Sequence, residues 1–109
     1  MAWLVCDGDV VAALEVARTR RARGRGLLGR DGIEGALLLR PASSVHTFGM
    51  RFAIDVAVCD RELVVVRIVT MRPQRLGRPT WQGRAVIEAE AGSLATWGVR
   101  VGSRLAVAH

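Results

Sequence analysis

The segment Phe48-Gly-Met-Arg-Phe-Ala-Ile-Asp-Val-Ala-Val-Cys59 alternates without a break between two kinds of residue. Phe48, Met50, Phe52, Ile54, Val56 and Val58 are bulky and apolar, whereas Gly49, Arg51, Ala53, Asp55, Ala57 and Cys59 are small or charged. A period of two puts these sets on opposite faces of an extended strand. Such a strand needs a core against its apolar face, which restricts the chain to folds built around a sheet. The small-residue face is either a solvent face or the floor of a pocket.

Turn signals divide the rest of the chain into further short strands. Asp7-Gly8-Asp9 separates Ala2–Cys6 from Val10–Val16 and reads as a hairpin. Arg18–Gly29 is rich in arginine and glycine, so it holds at most one or two helical turns starting at Ala17. Gly35–Arg40 reads as a buried strand stopped by Pro41. Ile54–Cys59 and Leu63–Met71 are the strongest strands, joined tightly through Asp60-Arg61-Glu62. Pro73–Thr80 is an irregular loop, and Arg84–Ala89 is a strand. Ser93–Gly98 reads as a very short helix with Ser93 as N-cap and Gly98 as its stop, before a last strand over Arg104–Val107. About seven strands with turns between them predict a mainly β, compact antiparallel sandwich or barrel-like single domain, jelly-roll-like, with one or two short helices. A length of 109 residues, half of them hydrophobic, suits one domain spanning 1–109 with a single core.

The formal charge of +6 raises nucleic acid as a partner, and all sixteen basic residues are arginine. Five arginines cluster in Arg18–Arg25, but none of the three tryptophans and two phenylalanines interleaves with them. Without stacking aromatics or a recognition helix, nucleic acid is the less favoured partner. No apolar run approaches the roughly 20 residues that span a bilayer, so no membrane partner is expected. The first residues lack a basic n-region, and the expected location is the cytoplasm. Cys6 and Cys59 form no Cys-x-x-Cys and have no histidine at ligand spacing, which predicts two free thiols and implies neither metal nor cofactor. Nothing in the pattern specifies more than a monomer or weak dimer.

Four residues are singled out as candidate ligand-binding positions: His46, Arg51, Asp55 and Trp81. Arg51 and Asp55 share a face but lie about 13 Å apart along a strand, so each needs another partner. A three-residue loop at Asp60–Glu62 would set Asp55 opposite Arg67, and a two-residue loop would set it opposite Ile68. The preferred reading of Asp55 is structural. Arg51 is the better anion donor, with room left beside it by Gly49 and Ala53. His46 reads as a loop or capping residue, Trp81 as a pin for its loop or the rim of a pocket, and Trp97 as a core plug.

The order of several pieces resembles domain of unknown function family 192. These are Gly26-Leu-Leu-Gly-Arg30, Gly35-Ala-Leu-Leu-Leu-Arg-Pro41, and Val45-His-Thr-Phe-Gly-Met-Arg-Phe52 with Ile54-Asp-Val56. Arg84-Ala-Val-Ile-Glu88, Ala91-Gly92 and Trp97-Gly-Val-Arg-Val-Gly102 continue the match, which covers Ala17 to Val107 after the 2–16 hairpin. The histidine-bearing form looks like an actinobacterial branch. The resemblance implies a compact, mostly β domain and no established activity; it aligns Asp55 with the family's aspartate and Glu88 with its glutamate. The chain departs from the pattern at Ala53, where proline is usual, and at Ser103, where an aspartate is usual.

Three classes of function follow. The first is a non-catalytic binding or accessory module for an anionic small ligand, a peptide or a protein partner. The second is a small hydrolase using His46 with Asp55 or Glu88. The third is an arginine-mediated nucleic-acid binder. The absence of a nucleophile elbow, phosphate loop or paired-carboxylate motif favours the first.

Overall fold

Asp7-Gly8 turns two strands back on each other, as its sequence predicts. In the computed structural model, which describes residues 1–109, β1 (Ala2–Cys6) runs antiparallel to β2 (Asp9–Ala17). The six-residue helix α1 (Arg20–Arg25) begins three residues later than Ala17, because Thr19 caps it by accepting from the Ala22 amide at 3.0 Å. Then come β3 (Ala36–Leu39), β4 (Ile54–Cys59), β5 (Val65–Met71), β6 (Ala85–Glu90), the four-residue α2 (Ser93–Thr96) and β7 (Leu105–Ala108). All seven strands form one sheet in the order β5-β4-β6-β3-β2-β1-β7. Pairing is antiparallel except between β2 and β3, whose crossover carries α1. No helix is long and apolar enough to cross a membrane.

The sheet curls until its ends meet at one corner. The Val65 amide donates to Ser103 O at 2.9 Å and the Leu105 amide to Leu63 O at 2.9 Å, so β5 and β7 join where their chains enter. The fold is therefore mainly β and barrel-like with two short helices, as expected. Curling gives the sheet two cores, where the chain's length suggests one. Leu4, Leu14, Ile87, Leu94 and Leu105 pack inside the curl, and Leu27, Leu37, Met50, Val56 and Val86 pack on the other face.

Three expectations need correction. The extended strand begins only at Ile54, because Gly49 takes a φ of +80° and the Met50 amide turns back to Thr47 O. Met50 is still buried, but Phe48 is about half exposed, so the apolar period of two outruns the strand. The small-residue face of β4 is neither solvent nor pocket floor. Ala57 and Cys59 face the inner core, where Leu63, Leu94 and Leu105 supply the bulk. Burial there pushes the Cys59 thiol up to about 12, so it stays a neutral, inert core side chain.

The register also differs from both alternatives: Asp55 lies opposite Thr70, not Arg67 or Ile68. The loop is longer than the residues Asp60–Glu62 suggest. Leu63 adopts a φ of +62° to reach the inner core, and Asp60 Oδ1 accepts from the amides of both Glu62 (2.9 Å) and Val64 (3.0 Å). A bulge at Val58/Cys59 completes the offset.

Thr47, which sequence reasoning passed over, is fully buried and ties the 44–50 segment to the 72–78 loop. Its hydroxyl donates to Arg72 O at 2.6 Å and accepts from the Arg75 amide at 2.8 Å. Thr47→Val keeps the shape but strands both backbone groups. We expect it to cost about 2 kcal/mol in urea unfolding; a loss below roughly 0.5 kcal/mol would show that the loop is held by other contacts.

Candidate functional site

β6 is the central strand of its half of the sheet, so its side chains alternate between the two cores. Ala85, Ile87 and Ala89 enter the inner one, and Val86 the outer one. By that alternation Glu88 must join Val86, between Leu37 of β3 and Val56 of β4. A carboxyl group is thus placed in an apolar layer, and it is only 4 % exposed.

The lid over this carboxyl group is the end of α1. That helix has no buried residue of its own; it is anchored by Leu27, which is fully buried just past the helix. Gly26 turns the chain with φ +52° and ψ −127°, a conformation open to glycine alone. A Cβ at Gly26 would lie 3.0 Å from Glu88 Oε1, so the absent side chain is what lets the backbone close over the acid. Even so, Oε1 has no hydrogen-bond partner. Burial raises the Glu88 carboxyl to about 7, against a smaller pull in the other direction from Arg30. Arg30 is committed elsewhere: its guanidinium holds Glu15 in a two-pronged pair at 2.8 and 3.1 Å. That pairing lowers the Glu15 carboxyl and raises Arg30.

Glu88 forms part of the wall of a cleft of about 360 Å³ between α1 and the Pro41–Met50 segment. Arg20, Arg23, Arg25 and His46 line the same cleft, with Leu28 and Met50 among its apolar walls. None of the three arginines is in a salt bridge. His46 is exposed, stacks on Phe48 with ring centroids 5.6 Å apart, and makes no side-chain hydrogen bond to Glu88. The cleft thus combines three unpaired arginines, all from α1, with one buried acid that is about half protonated at neutral pH.

Of the four residues singled out from the sequence, only His46 is in this cleft. Arg51 sits in a bend and pairs with Asp31 at 3.0 Å on the open surface. Asp55 is structural, as preferred, but in a role the register argument did not contain. Its Oδ2 accepts from the amides of Gly92 (2.9 Å) and Leu94 (3.1 Å), and its Oδ1 accepts from the Thr70 hydroxyl at 2.7 Å. It therefore caps α2 from a neighbouring strand, which is why Gly92 rather than Ser93 is the N-cap and no local side chain is needed. Gly98 does end that helix: its amide donates to Ala95 O and that of Val99 to Leu94 O, the paired bonds of a Schellman stop. Leu94 is the core plug there, and Trp97 is only half-buried. Trp81 is 91 % exposed, so it neither pins its loop nor rims a cavity. At Ser103, where the family pattern has an acid, the hydroxyl accepts from the Arg100 amide at 3.0 Å and closes a buried turn.

The chain belongs to domain of unknown function family 192, described as "Uncharacterized ACR", whose model matches residues 3–107. A search of curated proteins finds no match. Two solved structures share the fold. One is a protein of unknown function from Novosphingobium aromaticivorans, 19 % identical, with a TM-score of 0.81 over 95 % of this chain and 83 % of that one. The other, from Sinorhizobium meliloti, is named a "putative transcription regulator"; it is 17 % identical, with a TM-score of 0.82 over 98 % of this chain and 94 % of that one. At these identities the likeness concerns the fold alone.

Proposed function

We propose that this member of the family is a non-catalytic binding module that takes a small anionic ligand in the cleft over Glu88. The observation that carries the reading is the unpartnered, buried Oε1 of Glu88 in a cleft lined by three free arginines. An acid left without a partner costs stability, and a ligand that supplies one recovers it. The arginines take a carboxylate or phosphate head group, because the guanidinium fork matches those oxygens. Glu88, half protonated near pH 7, takes a neutral hydroxyl or amide group further in, either as donor or as acceptor. An anion bound nearby raises the carboxyl further and favours the donor form.

A panel of malate, glycerol 3-phosphate and inorganic phosphate, followed by amide NMR shifts, tests this. Shifts are expected at Gly26, Leu27 and His46, with the hydroxyl-bearing probes binding more tightly than phosphate. Arg23→Ala should weaken binding about tenfold, the equivalent of one charge-assisted hydrogen bond. Shifts confined to other parts of the molecule, or an affinity indifferent to Arg23→Ala, would contradict the proposal.

A hydrolase is the second reading, favoured by a carboxyl group near 7 in a cleft that also holds His46 and Ser44. No hydrogen bond connects these three groups, so the acid–base pairing that such chemistry uses is not assembled. Asp55 has no part in it, since its oxygens are engaged with α2 and Thr70.

A further inference from the structure

A second cleft, of about 440 Å³, opens between the face of β5 and the 72–78 loop, on the far side of Ser44 and Val45 from the Glu88 site. Its walls are of two kinds. Val45, Val58, Val69, Met71 and Leu76 make an aliphatic floor, and Leu76 is 76 % exposed despite its size. Arg67, Arg72, Arg75 and Arg78 surround that floor, and no acidic residue lines it. Arg67, Arg72 and Arg78 make no side-chain hydrogen bond or salt bridge, and Arg75 reaches only the carbonyls of Pro73 and Gln74.

Four cations around an apolar depression with no counter-charge form an incomplete arrangement. The four guanidinium groups have no counter-charge in the cleft lining, and Leu76 leaves most of its aliphatic surface open beside them. One chemistry relieves both: an anionic head for the guanidinium forks on an aliphatic tail for the floor. The loop that carries three of these arginines is not loosely held. Thr47 fixes its backbone at Arg72 and Arg75, and the Gly77 amide donates to Val45 O at 2.9 Å. The arginines therefore stand on a backbone set in place before any ligand arrives.

We infer that this cleft is a second binding site, for an aliphatic carboxylate, with the head group held by the arginines Arg67, Arg72, Arg75 and Arg78 and the tail against Val69 and Leu76. Its volume is within the range of small-molecule sites. A single-stranded nucleic acid would use the same charge, but it needs aromatic faces for its bases, and no aromatic residue lines the cleft. The two clefts share only Ser44 and Val45 of their lining; their arginines are different residues and only one of them holds Glu88, so either site can fail without the other.

Octanoate is the probe. In an amide NMR titration the shifts should concentrate at Val69, Met71, Leu76 and Gly77. Acetate, with the head but no tail, and octanol, with the tail but no head, should each bind at least about tenfold more weakly. The double variant Arg72→Ala/Arg75→Ala, with circular dichroism to confirm its fold, should lose about tenfold or more in octanoate affinity. Glu88→Gln should leave octanoate affinity unchanged. Equal affinity for acetate and octanoate would reduce the cleft to a surface charge effect and overturn the inference. So would octanoate shifts at other residues, an unaffected double variant, or displacement of octanoate by a short oligothymidylate at comparable concentration.

Discussion

Asp55→Ala is expected to destabilise the protein by about 3 kcal/mol or more, the largest single loss on the sheet face of β4. The carboxylate is buried and accepts from two backbone amides and one hydroxyl. Removing it leaves the buried Leu94 amide without an acceptor, at roughly 1–3 kcal/mol, and also strands the part-buried Gly92 amide and Thr70 hydroxyl. A four-residue helix has no stability of its own, so α2 depends on this external cap and on Leu94 in the inner core. The damage should therefore spread to the closing contact at Ser103 and Leu105. Asp55→Asn keeps an acceptor oxygen without the charge and should cost about half as much. Urea unfolding of both variants checks the order; a loss for Asp55→Ala under about 1 kcal/mol would mean that α2 is held by packing alone.

The second large effect is on the pH dependence of stability. The Glu88 carboxyl titrates near 7 when folded, raised by burial from an ordinary 4.5. Between those values the folded protein keeps a proton that the unfolded chain releases. The neutral acid's contribution is thus fully present below pH 4.5, declines as pH rises and is gone above about 7. The interval corresponds to about 3 kcal/mol. Glu88→Gln cannot ionise, so the difference in unfolding free energy between wild type and variant should move by about 3 kcal/mol in the variant's favour from pH 4 to pH 8. A difference that stays constant across this range would mean that Glu88 is solvated in the folded protein.

Local pattern was enough to place most elements. Asp7-Gly8, Pro41 and Gly98 mark ends that the backbone respects, because each acts within one or two residues. The period of two from Phe48 to Cys59 gave the right strand with the wrong start. Gly49's positive φ and the turn at Thr47 are set by contacts with the 72–75 loop, which lies some 25 residues away and leaves no local trace. The register of β4 on β5 was equally illegible, since it depends on Leu63 leaving the strand to fill the inner core.

The site was harder still. Pattern drew attention to Arg51 and Asp55, the charges that interrupt a small-residue face, whereas curling of the sheet buries that face and gives Asp55 a helix to cap. Glu88 carried a signal of its own in Arg84-Ala-Val-Ile-Glu88, an acid on the apolar alternation of a central strand, but whether it meets a partner or a cleft is decided by Gly26, sixty-two residues before it. The aliphatic cleft beside β5 gave no sign at all, because its arginines look in sequence like scattered surface charge.

The proposed ligand site depends on Glu88 being an unsatisfied acid beneath the cleft. A pH titration of its side-chain carboxyl carbon by NMR, in the free protein and with saturating malate, tests it most directly. A midpoint near 7 is expected in the free protein and a higher one with malate bound, as a neighbouring negative charge requires. A midpoint near 4.5 that does not move with malate would contradict the proposed site.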